Sequence, residues 1–395
     1  MILFKRIYLK LYLSEDERRE YWTQYWARQV EIDKFNAPRR RAIADLFPLT
    51  QEQKEQIDEL FLTNYGEKVD YVWHQNYAAH AGRFDYKFMP ELLFIPEFER
   101  FQNLNKAANR MMSDKNFLPI IAKAAGIQMP RTILSCTNGI LRDSENRIVT
   151  SNQGEEILQS YPVFFVKPSV DSCSGQGCRL KRENDDCKVR NGRLILGKSN
   201  ADSAEYAHDY VCQQVVKTHE SVAVLHPESV NTFRVITYLW EDAIETMPVI
   251  LRIGRGNSNV DNAHAGGMFI AINADGSLGN HAVTEFNDQY KVHPDSGIVF
   301  KDHIIVSYDK MINAAKRMHE MVPQIGVVNW DFTIGTDGEP ILIEANIEGG
   351  SIWLPQMAHG VGAFAGRTER VLQWLRFMKK TKPEERSRYI GGKIE

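Results

Sequence analysis

The chain reads as an α+β protein, with a mainly helical leading region followed by lobes built from β-hairpins and helices. Three observations predict this. Two helix starts of the capping-box type fall early, at Ser14-Glu-Asp-Glu17 and Thr50-Gln-Glu-Gln53. Beyond Ser113, short apolar runs bounded by glycine, proline and asparagine take over. Those runs form hairpins with interspersed helices rather than a strict strand–helix alternation, which argues against a purely parallel sheet. At 395 residues the chain exceeds one small core and suggests two or three subdomains.

Met1 to Leu13 is apolar but broken by Lys5, Arg6 and Lys10, so it lacks a signal-peptide core. A helix packed on the protein is expected there, with peripheral contact to anionic lipid as the alternative. The first capped helix carries Tyr21, Trp22, Tyr25 and Trp26, read as a core stripe, and Pro38 and Pro48 punctuate the stretch after it. His74 and His80 match neither one helix face nor a zinc spacing, so ordinary polar or buried roles are expected. Asp114 to Gly126 reads as a helix stopped by its glycine, followed by a strand over Thr132 to Ser135. A buried strand from Pro162 ends at Lys167, a small-residue loop runs from Ser169 to Cys178, and Asn191-Gly192 marks a hairpin. Further strands are expected at Tyr210–Val216, Asn231–Leu239, Pro248–Ile253 and Gly267–Ile272, and helices at Asp309–Val322 and Arg367–Lys380.

Lysine and arginine total 48 against 51 acidic residues, and this near balance argues against a nucleic-acid surface while permitting a local basic pocket. Five cysteines form no metal-type CxxC pair and read as reduced thiols of a cytoplasmic protein. No apolar run approaches a membrane span.

The most informative segment runs from Asp331 to Asn346. Asp337-Gly338 suits a tight turn, and a two-residue turn there pairs Phe332 with Ile343, Ile334 with Ile341, and Asp331 with Glu344. Asn346 shares the face of Glu344. Opposed carboxylates sit about 5 Å apart at Cβ and repel. A hard divalent cation such as Mg²⁺ turns that repulsion into a site, since it takes a few carboxylate or amide oxygens and leaves room for phosphate and water. A solvated surface pair is the plainer alternative. A three-residue loop would shift the register and break the pairing.

Lys167, beside glycines 175 and 177, offers charge and exposed backbone amides to an anion. Neither GxxxxGK[ST] nor a GxGxxG after a strand is present, so a nucleotide would need another scaffold. Arg234, Arg252 and Arg255, with glycines and Asp261-Asn262-Ala-His264 nearby, suit a bidentate grip on carboxylate or phosphate. Solvated loop arginines remain the alternative for any one of them.

In this order the segments resemble the ATP-grasp superfamily, and more closely the sugar-transfer-associated ATP-grasp family found with polysaccharide biosynthesis genes. Asp70 to His74, Gly82-Arg-Phe-Asp85, His226 to Arg234 and Asp261 to Gly267 carry the closer likeness, which runs from roughly Leu49 to Ala365. The resemblance implies an ATP-grasp fold of two α+β lobes clasping ATP. The helical region would cover 1–112, the first lobe 113–216 and the second 217–395. Lys115 and Lys167 would touch phosphates, and Ser174, Gly175, Gln176 and Gly177 would form a lid. Gln213, Gln214, Val215 and Val216 would be the hinge meeting adenine, with Glu220 on the ribose. Asp331, Glu344 and Asn346 would hold Mg²⁺. Many such hinges carry glutamate where this chain has Gln213-Gln214.

The implied activity is an ATP-dependent carboxylate–amine ligase working through an acyl phosphate. Its substrates would be a small-molecule acid and amine, such as a sugar, amino acid or related compound. Arg252 or Arg255, with Arg234 nearby, would bind the carboxylate, and Asp261 and His264 would orient the acceptor. A phosphotransferase acting on a hydroxyl, and a non-catalytic nucleotide-binding partner of a glycosyltransferase complex, are the alternatives.

Overall fold

The computed structural model describes residues 14–170, 177–197, 204–207, 209–258 and 260–394. The expected helix within 1–13 and the lid residues Ser174, Gly175 and Gln176 lie outside them.

Both capping boxes form. Ser14 Oγ accepts from the Glu17 amide at 3.3 Å, and the Ser14 amide donates to Glu17 Oε2 at 2.8 Å, opening the helix Glu15–Asn36. Thr50 and Gln53 do the same for Gln51–Asn64. The aromatic stripe departs from the core expectation. Tyr21, Trp22, Tyr25 and Trp26 pack on one another with centroids 5.2–6.5 Å apart, and Trp26 is 50% exposed. Those four positions span about 140° of the helix, too wide an arc for both edges to be covered. The core of the helical region is formed instead by Phe35, Phe61, Trp73, Tyr77, Phe94 and Phe98, together with Trp353 and Trp374 from late in the chain.

An eight-stranded antiparallel sheet forms the centre. Ile250–Ile253, Thr232–Trp240, Val327–Ile334 and Pro340–Asn346 lie side by side in that order. Alternation divides the strand Thr232–Trp240 cleanly. Phe233 and Val235 face a core shared with the helix Tyr308–Glu320. On the opposite face Ile236, Tyr238 and Trp240 lie under the helical region, while Thr232 and Arg234, further along, line a cleft. One sheet face thus changes from aromatic core to polar site along a single strand.

A second, six-stranded sheet places Tyr210–Gln213 between Thr132–Thr137 and Phe164–Pro168. Its core, with the helix Ser151–Gln159, continues into a small three-stranded sheet. Residues 214–219 cross between the lobes, tied by the Gln214 amide to Arg131 O at 2.9 Å and by the His219 amide to Ile334 O at 2.8 Å. Asn191 and Gly192 form the expected tight turn, with φ of 50° and 76°. Asn138 and Gly139, with φ of 51° and 78°, form a second one not anticipated from the sequence. The helix expected from Asp114 is shorter, Leu118–Ala124, because Pro119 has no N–H and fits only a first turn. Among the described residues no helix is long and apolar enough to cross a membrane.

The Asp331 hairpin differs from its expected geometry in an instructive way. Its loop holds three residues, with Gly338 at φ 77° and Gly335 paired to Glu339, so Phe332 meets Leu342 and Ile334 meets Pro340. That shift alone would separate the carboxylates. Ile343 is bulged out between Leu342 and Glu344, which restores the register and brings Asp331 opposite Glu344 after all. The bulge also places Ile343 and Glu344 together on the cleft wall.

Candidate functional site

Between the lobes lies a cleft of about 270 Å³. Four neighbouring strands set a row of polar side chains along its floor: Arg252, then Thr232 and Arg234, then Asp331, then Glu344 and Asn346. Arg234 donates from Nε to Asp331 Oδ1 at 2.7 Å, and Arg252 Nη2 reaches Asp331 Oδ2 at 3.0 Å. Burial disfavours charge on Asp331, but the two guanidiniums outweigh it and hold its pKa below the usual aspartate value. Asp261 is pushed the other way. Burial raises it although Arg252 lies 3.7 Å away and the Thr232 amide and hydroxyl both donate to it, at 2.7 and 2.5 Å. All three nitrogens of Arg252 are engaged, by Thr232, Asp331 and Asn262. Arg234 bonds only through Nε and Nη2 among the described residues, leaving Nη1 for another acceptor.

The opposite wall comes from the six-stranded sheet, where Phe165 and Lys167 share a strand face toward the cleft. Burial pulls Lys167 below the usual lysine pKa, countered in part by Cys178, Glu344 and Asp331. Lys115 links the lobes, its amide donating to Ser169 O at 2.9 Å and its ammonium lying 3.0 Å from Glu344. Gln213, Gln214 and Val216 line the cleft beside apolar Pro130 and Ile343.

A family model described as sugar-transfer associated ATP-grasp matches residues 94–372. The chain belongs to this family. No curated protein sequence matches it. Among solved structures it is similar to an ATP-grasp superfamily protein from Archaeoglobus fulgidus, at 13% identity and TM-score 0.32, covering 67% of this chain and 54% of that one. It is similar also to the ATP-grasp ligase PsnB complexed with minimal precursor, Mg and ADP, at 11% identity and TM-score 0.37, covering 69% and 61%. A third is an L-amino acid ligase from Bacillus licheniformis, at 11% identity and TM-score 0.33, covering 72% and 51%. The chain therefore spans between half and two thirds of these proteins, and the family match alone carries the assignment.

Within this ATP-grasp protein the cleft gathers Lys167, Gln213, Gln214, Val216, Arg234, Arg252, Asp261, His264, Asp331, Glu344 and Asn346, with Lys115 reaching in through Glu344. Four of the expected residues, Arg255, Val215, Glu220 and Gly177, stand apart from the lining. Arg255 donates to the Tyr290 hydroxyl at 2.6 Å and lies over that ring, outside the cleft lining. Val215 is exposed, and Glu220, exposed itself, opens the short helix Glu220–Ala223 away from the lining. Gly177 has φ 73° and packs so closely that a Cβ would meet Pro168 at 2.8 Å. His74 and His80 are buried, with pKa values pulled down to about 4 by burial, and serve the core as expected.

Sequence reasoning missed the far wall, Glu348-Gly349-Gly350-Ser351 with Trp353. The run Gly349-Gly350-Ser351, three residues beyond Asn346, was the available signal. It also missed buried Glu99, which accepts from the Gly349 and Gly350 amides, each at 2.7 Å.

Magnesium is the ion this fold family implies. Asp331, Glu344 and Asn346 suit it as hard oxygen donors, because Asn346 turns its Nδ2 toward Asp331 at 3.3 Å and keeps its amide oxygen for another partner. Among the described residues no three His, Cys, Asp or Glu side chains converge, and the set that would hold the ion is two carboxylates and an amide.

Proposed function

We propose that this ATP-grasp protein is an ATP-dependent carboxylate–amine ligase that forms an amide through an acyl phosphate. One observation carries the reading: a single sheet face sets Arg234, with an unbonded Nη1, beside Asp331 and Glu344, directly across from Lys167. The apolar end near Phe165 and Ile343 would take adenine, with Gln213 to Val216 presenting backbone to its edge. Lys167 and Lys115 would meet the phosphates. Asp331, Glu344 and Asn346 would hold Mg²⁺, which neutralises charge on the transferring phosphoryl group.

Arg234 would grip the acid's carboxylate through its unbonded Nη1, because Arg252 is held by Thr232, Asp331 and Asn262 and Arg255 turns to Tyr290. A carboxylate oxygen is a poor leaving group, so phosphorylation converts it into phosphate before the amine attacks. Holding the two reactants in line contributes most of the acceleration. Asn262, His264 and Ser351 would border the acceptor.

The test is isotopic. Acids labelled with ¹⁸O are screened with amines and ATP; label appearing in released phosphate is expected, since the acyl phosphate returns one carboxylate oxygen to it. Phosphate transferred intact to an acceptor hydroxyl, without label exchange, would replace the ligase with a kinase.

A further inference from the structure

The ligase reading leaves open where the acceptor's proton goes. Resting on that reading, we propose that His264 takes it as general base, and that Glu285 and Arg40 hold the ring in its reactive tautomer. His264 sits in the short turn Ala263–Ala265, half exposed, on the cleft wall beside Asn262 and Trp353. Its Nδ1 lies 2.5 Å from Glu285 Oε2. Glu285 is buried, and its other oxygen accepts from Arg40 Nη2, also at 2.5 Å. Against the cost of burial, His264 and Arg40 keep that carboxylate below its usual pKa, hence ionised at neutral pH.

An ionised carboxylate can only accept, so the proton of the neutral ring belongs on Nδ1 and the lone pair on Nε2. Among the described residues Nε2 makes no hydrogen bond. On its inner side the clamp is packed. The ring packs at 6.0 Å on buried Trp353, Arg40 lies 5.3 Å over the same indole, and His80 Nε2 comes within 3.3 Å of the Glu285 carbonyl. A nucleophile's base oriented by a buried acid is the arrangement general-base chemistry requires.

In the step, the acceptor nitrogen attacks the acyl carbon and a C–N bond forms. The C–O bond to phosphate breaks and phosphate departs with that electron pair. Nε2 receives the N–H proton, and the imidazolium is stabilised by Glu285 until the proton passes to phosphate or water. Arg40 and Glu285 are positioning residues, since neither lines the cleft.

Two measurements on the full chain test this. ¹⁵N-edited NMR of the histidine rings, with His264→Asn identifying the signal, should show the Nδ1–H tautomer at pH 8. In an Arg40→Met/Glu285→Leu double variant, which removes both members of the buried pair together, the ring should relax to the mixture of free imidazole. The second measurement compares nucleophiles, using hydroxylamine to trap acyl phosphate as hydroxamate beside the amine found in the isotope screen. His264→Asn should slow amide formation roughly a hundredfold or more and hydroxamate formation less than about tenfold, because hydroxylamine needs little help from a base. An Nε2–H tautomer in the wild-type protein, or equal losses with both nucleophiles, overturns the base role. Should wild-type protein form no hydroxamate with any acid, the ligase reading falls and takes the base role with it, whatever the tautomer.

Discussion

Asp331 and Glu344 face each other but carry different loads. Asp331 is almost wholly buried and bound by two guanidiniums and an amide, whereas Glu344 is 31% exposed and meets one ammonium. Replacing Asp331 by Asn leaves the largely buried Arg234 guanidinium against a neutral group, while Arg252 keeps Asp261, and breaking such a pair costs about 3–5 kcal/mol. Glu344→Gln removes a partly exposed pair worth about 1 kcal/mol or less. Urea unfolding should therefore show a large loss for Asp331→Asn and almost none for Glu344→Gln, while Mg²⁺-dependent ATP turnover collapses in both. Equal stability losses would show that the guanidiniums do not depend on Asp331. The sequence pointed to the two carboxylates because hairpin pairing is local. It could not point to the arginines as their partners, because Arg252 reaches Asp331 across an intervening strand and sheet order is not written in local pattern.

At the scale of elements, helices and most strands were legible from capping, apolar period and turn residues, and they fall within a few positions of expectation. The failures have physical causes. A loop one residue longer and a compensating bulge at Ile343 cancel, so the right pair was reached through the wrong register. The wall at 349–352 showed in the sequence only as a small-residue run, for a different reason: its partners, Glu91 and Glu99, lie some 250 residues earlier. Burial raises both glutamates to about 8, outweighing the backbone amides that donate to them. The folded state then keeps protons that the unfolded chain has released above about 4.3. Stability from these groups is full below that value and is lost as pH rises toward 8, each contributing at most about 1.4 kcal/mol per pH unit. Thermal unfolding between pH 5 and 8 should show the midpoint falling, and Glu99→Gln should flatten that fall. A variant with the wild-type slope would mean that Glu99 is ionised throughout the range.

For the whole molecule, the family match begins at residue 94, yet the first helices do not behave as an appendage. The Met89 amide donates to Gln356 Oε1 at 2.7 Å, and Gln356 Nε2 returns a bond to Met89 O at 2.9 Å, both buried. Arg83 donates to Gly360 O, and Asp85 accepts from the Gly362 amide, so the Gly82-Arg-Phe-Asp85 segment clasps the turn after the helix Trp353–His359. Phe35, Phe61, Trp73 and Tyr77 share one core with Trp353, Trp374 and the sheet residues Tyr238 and Trp240. Removing residues 1–93 would take Phe35, Phe61, Trp73 and Tyr77 out of that core and leave the apolar surface they cover without a partner. At roughly 1.5–3 kcal/mol per large apolar side chain, the loss is comparable to the entire stability of an ordinary domain, about 5–15 kcal/mol. A chain starting at Phe94 should therefore lack near-ultraviolet circular dichroism and cooperative unfolding, despite retaining the whole family-matched segment. Cooperative melting of that fragment would show instead that the helical region is a dispensable cover for the stability of the matched segment.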